Sequence, residues 1–213
     1  MGNVLNRAGL VALTLGLSFV AQGATIHDNG GPNQMFGVNM SNFIVAENFD
    51  VAVASDITNI RFWSIQLLGP DYLGNVFWAV YGNAAGQPGS VVAGNLTPAV
   101  TPAATGNSTS FGYDEYLFNI PVAFQLTAGT YWLGLSNSPL DLVTPTEMLW
   151  TTTSGGNGSE AKYLDGTWQD SGQQLAFRID GDPSASGAIP EPATYILFAG
   201  GLAAAALLRR KTI

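Results

Sequence analysis

The chain contains one histidine and no cysteine, which narrows its possible chemistry at once. His27 would have to act alone, as the base of a Ser-His-Asp arrangement or as the anchor of a zinc site completed by carboxylates. It follows closely on an apolar N-terminal run, where a chain end is expected to fray, and a catalytic base needs a fixed position. The missing cysteines remove disulfides, thiol nucleophiles and thiolate metal sites together.

Oxygen chemistry has more material. Asp28-Asn29-Gly30-Gly31-Pro32-Asn33 and Asp180-Gly181-Asp182 are oxygen-rich segments near the two ends of the central region. Calcium takes six to eight oxygen ligands, carboxylates and carbonyls among them. A structural calcium site built from Asp28, Asn29, Asp180 and Asp182 is therefore one expectation, if the fold joins its ends. Ordinary turn chemistry accounts for the same residues, since Asn, Asp and Gly dominate turns. Asp114-Glu115 is the only adjacent carboxylate pair. Neighbours on a strand face opposite ways, so this pair alone cannot supply the two facing carboxylates of a glycoside hydrolase. Trp63, Trp78, Trp132, Trp150 and Trp168 could stack on sugars, yet aromatic residues of this size more commonly fill a core.

These residues need elements to hold them. Between residues 25 and 188 the chain shows short apolar or alternating runs separated by turn residues. They are Phe49–Val53, Ile57–Gln66, Asn75–Tyr81, Val91–Leu96, Tyr116–Pro121, Thr130–Ser136, Met148–Thr153, Ala161–Leu164 and Gln174–Asp180. Val76-Phe77-Trp78-Ala79-Val80-Tyr81 is β-rich by residue type, and Leu175-Ala176-Phe177-Arg178-Ile179-Asp180 alternates its large apolar residues. Segments such as Gly82-Asn83-Ala84-Ala85-Gly86-Gln87-Pro88-Gly89 carry the positive-φ residues that hairpins require. No stretch carries a sustained helical stripe. The pattern predicts an all-β domain over 24–182, an antiparallel β-sandwich of jelly-roll-like order, with a closed barrel as the rival. Residues 98–110, PAVTPAATGNSTS, are expected to form a flexible loop, and 183–188 a short linker.

Charge excludes one class of partner. Residues 25–188 hold three basic side chains (Arg61, Lys162, Arg178) against fourteen carboxylates, a formal −11. A nucleic acid would require basic clusters, so no nucleic-acid partner is expected.

The ends are read by their apolar runs. Residues 1–23 have the form of a secretory signal peptide: Arg7, an apolar run from Ala8 to Ala21, then the small residues Gly23 and Ala24. Signal peptidase is the partner this implies. At the other end, Pro190-Glu191-Pro192 precedes sixteen uncharged residues, 193–208, and then Arg209-Arg210-Lys211. As a helix these sixteen cover roughly 24 Å, slightly short of a hydrocarbon core near 30 Å. Snorkelling arginines make up the deficit, and their charge holds the C-terminus in the cytoplasm. The segment is thus a marginal transmembrane helix, suited to transient residence in an inner membrane.

In its order of proline-flanked glutamate, apolar helix and basic end, the stretch from Ile189 to Ile213 resembles the PEP-CTERM sorting signal of Gram-negative bacteria. The resemblance implies recognition by exosortase, a membrane-bound processing enzyme, through Pro190, Glu191, Pro192, Arg209, Arg210 and Lys211. Removal of the tail near the motif would follow, leaving the body at the cell surface or outside the cell. The body is also similar to the all-β domains common among such proteins, which implies a fold and no activity.

The expectation is therefore an exported surface or matrix protein, not an enzyme, with no cofactor beyond the candidate calcium, associated with exopolysaccharide. Two alternatives remain open. A carbohydrate-binding module requires exposed aromatics on one face, and a secreted glycan-active enzyme requires a cleft with convergent carboxylates.

Overall fold

A computed structural model of the protein describes residues 23–41, 43–67, 71–137, 146–155, 160–164, 167–170 and 172–184. The expected signal peptide up to residue 22, the linker beyond Ser184, and the whole of 189–213 with its helix lie outside these residues. Among the described residues no helix is long and apolar enough to cross a membrane.

Thirteen strands make two antiparallel sheets. They are β1 (Ala24–Asp28), β2 (Pro32–Asn39), β3 (Ile44–Val51), β4 (Ser55–Gln66), β5 (Asn75–Ala84), β6 (Gln87–Pro98), β7 (Ala103–Ser108), β8 (Asp114–Leu126), β9 (Gly129–Ser136), β10 (Leu149–Thr153), β11 (Glu160–Leu164), β12 (Thr167–Asp170) and β13 (Phe177–Pro183). The first sheet is built around β4. Its partner on one side is β8, which carries β7 on its far edge; on the other side lie β13 with β1 and β10 with β2. The second sheet runs β12-β11-β3-β9-β5-β6.

The two sheets face each other because each strand places alternate side chains inward. Ile60 and Phe62 of β4 are fully buried, while Arg61 between them and Trp63 after them are half-buried on the outer face. Ile57 would fall on the wrong side of that alternation. Thr58 is an extra residue against β13, where Ile57 pairs with Gly181 and Asn59 with Asp180, and this bulge resets the phase so that Ile57 also points inward. Against Ile60 and Phe62, with Phe118 and Ile120 of β8 and Ile179 of β13, the second sheet packs Val45 and Phe49, Val76 and Val80, and Leu133 and Leu135. Each such side chain contributes about 1.5–3 kcal/mol by burial. Phe62 and Phe118, directly paired across β4 and β8, stack at 4.8 Å.

Buried tryptophans find partners for their N–H groups. Trp150 Nε1 donates to the Ala176 carbonyl at 2.9 Å, Trp78 Nε1 to Thr97 Oγ1 at 2.9 Å, and Trp132 Nε1 to Asn83 Oδ1 at 3.1 Å. The β5–β6 hairpin turns on Ala85 and Gly86 with φ of 54° and 84°, the two-residue geometry that follows the strand twist.

Each run expected as a strand overlaps one in the structure, but four strands were not anticipated. Residues 103–108 form β7 inside the segment expected to be a loop, held as a strand by pairing with β8 although it lacks large apolar residues. The N-terminal stretch expected to fray is β1, paired with β13 from Ala24↔Gly181 to Asp28↔Arg178. The last strand runs through Pro183, and Ser184 N donates to the Ala54 carbonyl, so regular structure enters the expected linker. β2 and β12 complete the set.

Candidate functional site

The largest exposed aromatic groups of the described residues meet on the first sheet. Phe111 is 66% exposed, Phe36 56% and Met35 55%. Phe36 and Phe111 come from segments far apart in sequence, yet their ring centroids lie 6.5 Å apart at a 32° tilt. They flank a groove of about 350 Å³, with Ile65, Leu149 and Gly37 also in its lining and Thr109 and Tyr113 on the Phe111 side.

Local structure explains both walls. Thr109 to Tyr113 is a closed turn in which Gly112 N donates to the Thr109 carbonyl at 3.0 Å and Thr109 N to the Tyr113 carbonyl at 2.8 Å. Tyr113 N also donates to Thr109 Oγ1 at 3.2 Å, and Gly112 has φ 84°. That turn holds Phe111 out from the end of the β7–β8 hairpin. Opposite, β2 approaches β10 so closely that a Cβ on Gly37 would lie 2.6 Å from Leu149 Cβ and 3.0 Å from the Trp150 carbonyl. Thr152 Oγ1 donates to the Phe36 carbonyl at 2.9 Å, anchoring the backbone beneath the exposed ring. The outcome is a shallow apolar slot with two rings for walls and hydroxyls at one end. Among the described residues its lining holds no carboxylate and no histidine. It can bind flat, partly apolar surfaces and supplies no acid–base pair.

β1 and β13 join the chain ends, but the residues expected to bind calcium are spread along that pair, with Asp28 opposite Arg178 and Asp182 beyond Gly181, the partner of Ala24. Asp28 is the last residue of β1, beside β13, and Asn29 follows it. Asp28 Oδ1 accepts from Gly30 N at 2.9 Å, and the buried Asn29 donates from Nδ2 to the Leu175 carbonyl at 2.8 Å. Asp182 is paired across the sheet with Asp56. Asp180 is buried, with Arg61 Nε 2.8 Å from Oδ2 and Arg178 Nε 2.7 Å from Oδ1. Two guanidiniums already neutralise its carboxylate. Among the described residues no three acidic or histidine side chains gather where they could share a metal ion.

His27 belongs to the core margin. Its ring stacks on Phe177 at 5.5 Å and lies 5.9 Å from Phe49. Burial pushes its pKa below the usual histidine value, opposed by a hydrogen bond to the Asn29 side chain and by the charges of Asp50 and Asp28. Asp114 and Glu115 open β8 and differ in burial, Asp114 exposed and Glu115 3% exposed, and both line a cavity beside β7. None of the five tryptophans is exposed; Trp132 lies opposite the core on the second sheet, in a small cluster with Tyr81 and Trp168. The sugar-stacking role weighed for tryptophan has instead two phenylalanines as its structural candidates. Residues 109–113, Thr-Ser-Phe-Gly-Tyr, carry no periodic signal that would have singled out Phe111.

Residues 188–211 match the PEP-CTERM protein-sorting motif, which covers Pro190, Glu191, Pro192, Arg209, Arg210 and Lys211, all outside the described residues. Among curated proteins none matches the chain. The motif indicates exosortase-dependent sorting of an exported protein through a membrane-anchored intermediate.

Proposed function

We propose that this exported protein is a non-enzymatic surface or matrix component whose β-sandwich holds a glycan chain in the Phe36–Phe111 groove. The exposed ring pair carries the reading. Sugar rings present apolar C–H faces that cover aromatic rings, and an exposed aromatic pair in an otherwise packed domain marks an interaction site. The described lining of the groove carries aromatic, aliphatic and hydroxyl groups and no carboxylate, which favours binding over hydrolysis, since glycoside cleavage needs two carboxylates across the scissile bond.

Several finer features belong to the same reading. The strand order β1-β13-β4-β8 facing β3-β9-β5-β6 supports a jelly roll, an architecture used by lectin domains. The N-terminal apolar run supports cleavage by signal peptidase, with the body first in the periplasm and then at the cell surface or outside the cell. The terminal apolar helix serves as a transient inner-membrane span, and exopolysaccharide is the partner.

Affinity electrophoresis of the detergent-solubilised full chain through gels containing the producer's own exopolysaccharide tests the proposal. Retardation is expected for the native sequence, with at least a tenfold loss in Phe36→Ala/Phe111→Ala. Equal retardation of the two would overturn the groove assignment. No retardation of the native chain would overturn glycan binding itself.

A further inference from the structure

At the bulge of β7 lies a second cavity of about 260 Å³, its lining divided between apolar groups and the polar side chains of Asn107, Ser108, Asp114 and Glu115. Its formation follows from a register shift. β7 pairs with β8 at Ala103↔Leu117, Ala104↔Tyr116 and Ser108↔Asp114, so residues 105–107 stand opposite Glu115 alone, two more than the register needs, and arch away from the sheet. Gly106, at φ 81°, is the left-handed residue that makes the arch.

The arch closes over Glu115. This carboxylate is only 3% exposed, and Oε1 accepts from Thr105 Oγ1 at 2.8 Å and from Asn107 Nδ2 at 3.1 Å. Its other oxygen, Oε2, is buried with no hydrogen-bond partner. The ion pairs among the described residues join Arg61 and Arg178 to Asp180, and none reaches Glu115. Asp114 lines the same cavity, and no hydrogen bond or ion pair engages its carboxylate among the described residues. Adjacent carboxylates on a strand point apart, but Asp114 is the first residue of β8 and the arch spans both. A buried carboxylate with an unpartnered oxygen is costly unless a counter-charge joins it.

We propose that this cavity is a calcium site, with Glu115 and Asp114 as its charged ligands and oxygens of Asn107 and Ser108 beside them. A hard divalent cation suits a set made only of oxygens, and calcium tolerates the irregular geometry of a bulge. The cation neutralises Glu115 and ties the β7 edge to β8, in the hairpin that also carries Phe111. The site is independent of the glycan reading and distinct from the calcium grouping expected of Asp28, Asn29, Asp180 and Asp182.

Terbium luminescence on the detergent-solubilised full chain, excited through its tyrosines, tests the site, with Ca²⁺ as competitor and thermal melts alongside. The native chain should show saturable emission that Ca²⁺ displaces, and a melting midpoint that rises with Ca²⁺. Glu115→Gln should abolish both, Asp114→Asn should weaken binding at least tenfold, and Asp28→Asn and Asp182→Asn should bind as the native chain does. Absent emission with an unchanged midpoint overturns the proposal, as does native binding by Glu115→Gln. Loss confined to Asp28→Asn or Asp182→Asn moves calcium to the chain ends and also overturns it. If Glu115→Gln fails to fold, the exposed Asp114→Asn decides, and native affinity there counts against the site.

Discussion

Arg61 Nε stands 2.8 Å from Asp180 Oδ2, while Arg178, the direct cross-strand partner of Arg61, approaches the other oxygen at 2.7 Å. Two like charges placed opposite each other on a sheet repel. Asp180 lies two residues beyond Arg178 on the same face, so one buried carboxylate compensates both. Two of the three basic residues of the body are thus committed to a structural charge triad.

Removing that carboxylate should be expensive. Asp180→Asn leaves two facing guanidiniums without a counter-charge and is expected to lower stability by about 2–4 kcal/mol. The figure lies below the full cost of breaking a buried pair because both arginines are about a third exposed. Urea unfolding of the full chain in detergent measures it, and a loss under about 0.5 kcal/mol would contradict the triad's role.

His27 gives a pH signature of definite sign. Its folded pKa lies below the ordinary value of 6.5 because burial disfavours the charged ring. The unfolded chain therefore takes up the proton first as pH falls. Stability from this source is unaffected above about pH 6.5 and declines as pH drops from there through the folded value. Thermal melts between pH 5 and 7 should show that decline in the native chain and a flatter profile in His27→Leu. Parallel profiles would assign the slope to other groups.

Gly37 sets the shape of the groove. In Gly37→Val the new Cβ meets Leu149 Cβ at 2.6 Å, so β2 must shift from β10. We expect a loss of about 1–3 kcal/mol from overpacking, together with weakened retardation in exopolysaccharide gels. Native behaviour in both assays would show that β2 accommodates the side chain without disturbing Phe36.

The sheet-to-sheet core should respond through Phe118. This fully buried ring stacks on Phe62 and meets Tyr72 edge-on at 5.1 Å. Phe118→Ala is expected to cost about 3–5 kcal/mol, read by denaturant midpoint at unchanged slope. A cost below about 1 kcal/mol would mean that the cavity collapses.

Sorting should depend on the tail and not on the sandwich. Glu191→Ala in the matched segment is expected to leave unprocessed precursor in the membrane fraction, detected by mass spectrometry as an intact C-terminal Arg-Arg-Lys-Thr-Ile. Phe36→Ala/Phe111→Ala should be processed normally. Normal maturation of Glu191→Ala would remove this residue from the recognition set.

Much of the fold was legible because it rests on local pattern. Alternation in Leu175–Asp180 and β-rich residue types in Val76–Tyr81 mark strands that pack one face on a core, and Ala85-Gly86 marks the turn between β5 and β6. β7 was not legible. Its residues, AATGNS, carry no apolar alternation, and they are strand only because β8 offers an edge to pair with. β1 was misread for a related reason: a chain end looks free until β13 lies beside it.

The sequence alone determined the address and the class of the body. A sorting motif is read by a processing enzyme as a linear string of proline, glutamate, apolar run and basic end, so its information is complete in residue order. Strand periodicity is likewise local, repeating every two residues along the chain. Tertiary structure decided everything that depends on meeting across distance. Phe36 faces Phe111, Arg61 shares Asp180 with Arg178, and a three-residue arch in β7 closes over Glu115. These relationships come from strand register and bulges, where one added residue changes which side chains share a face.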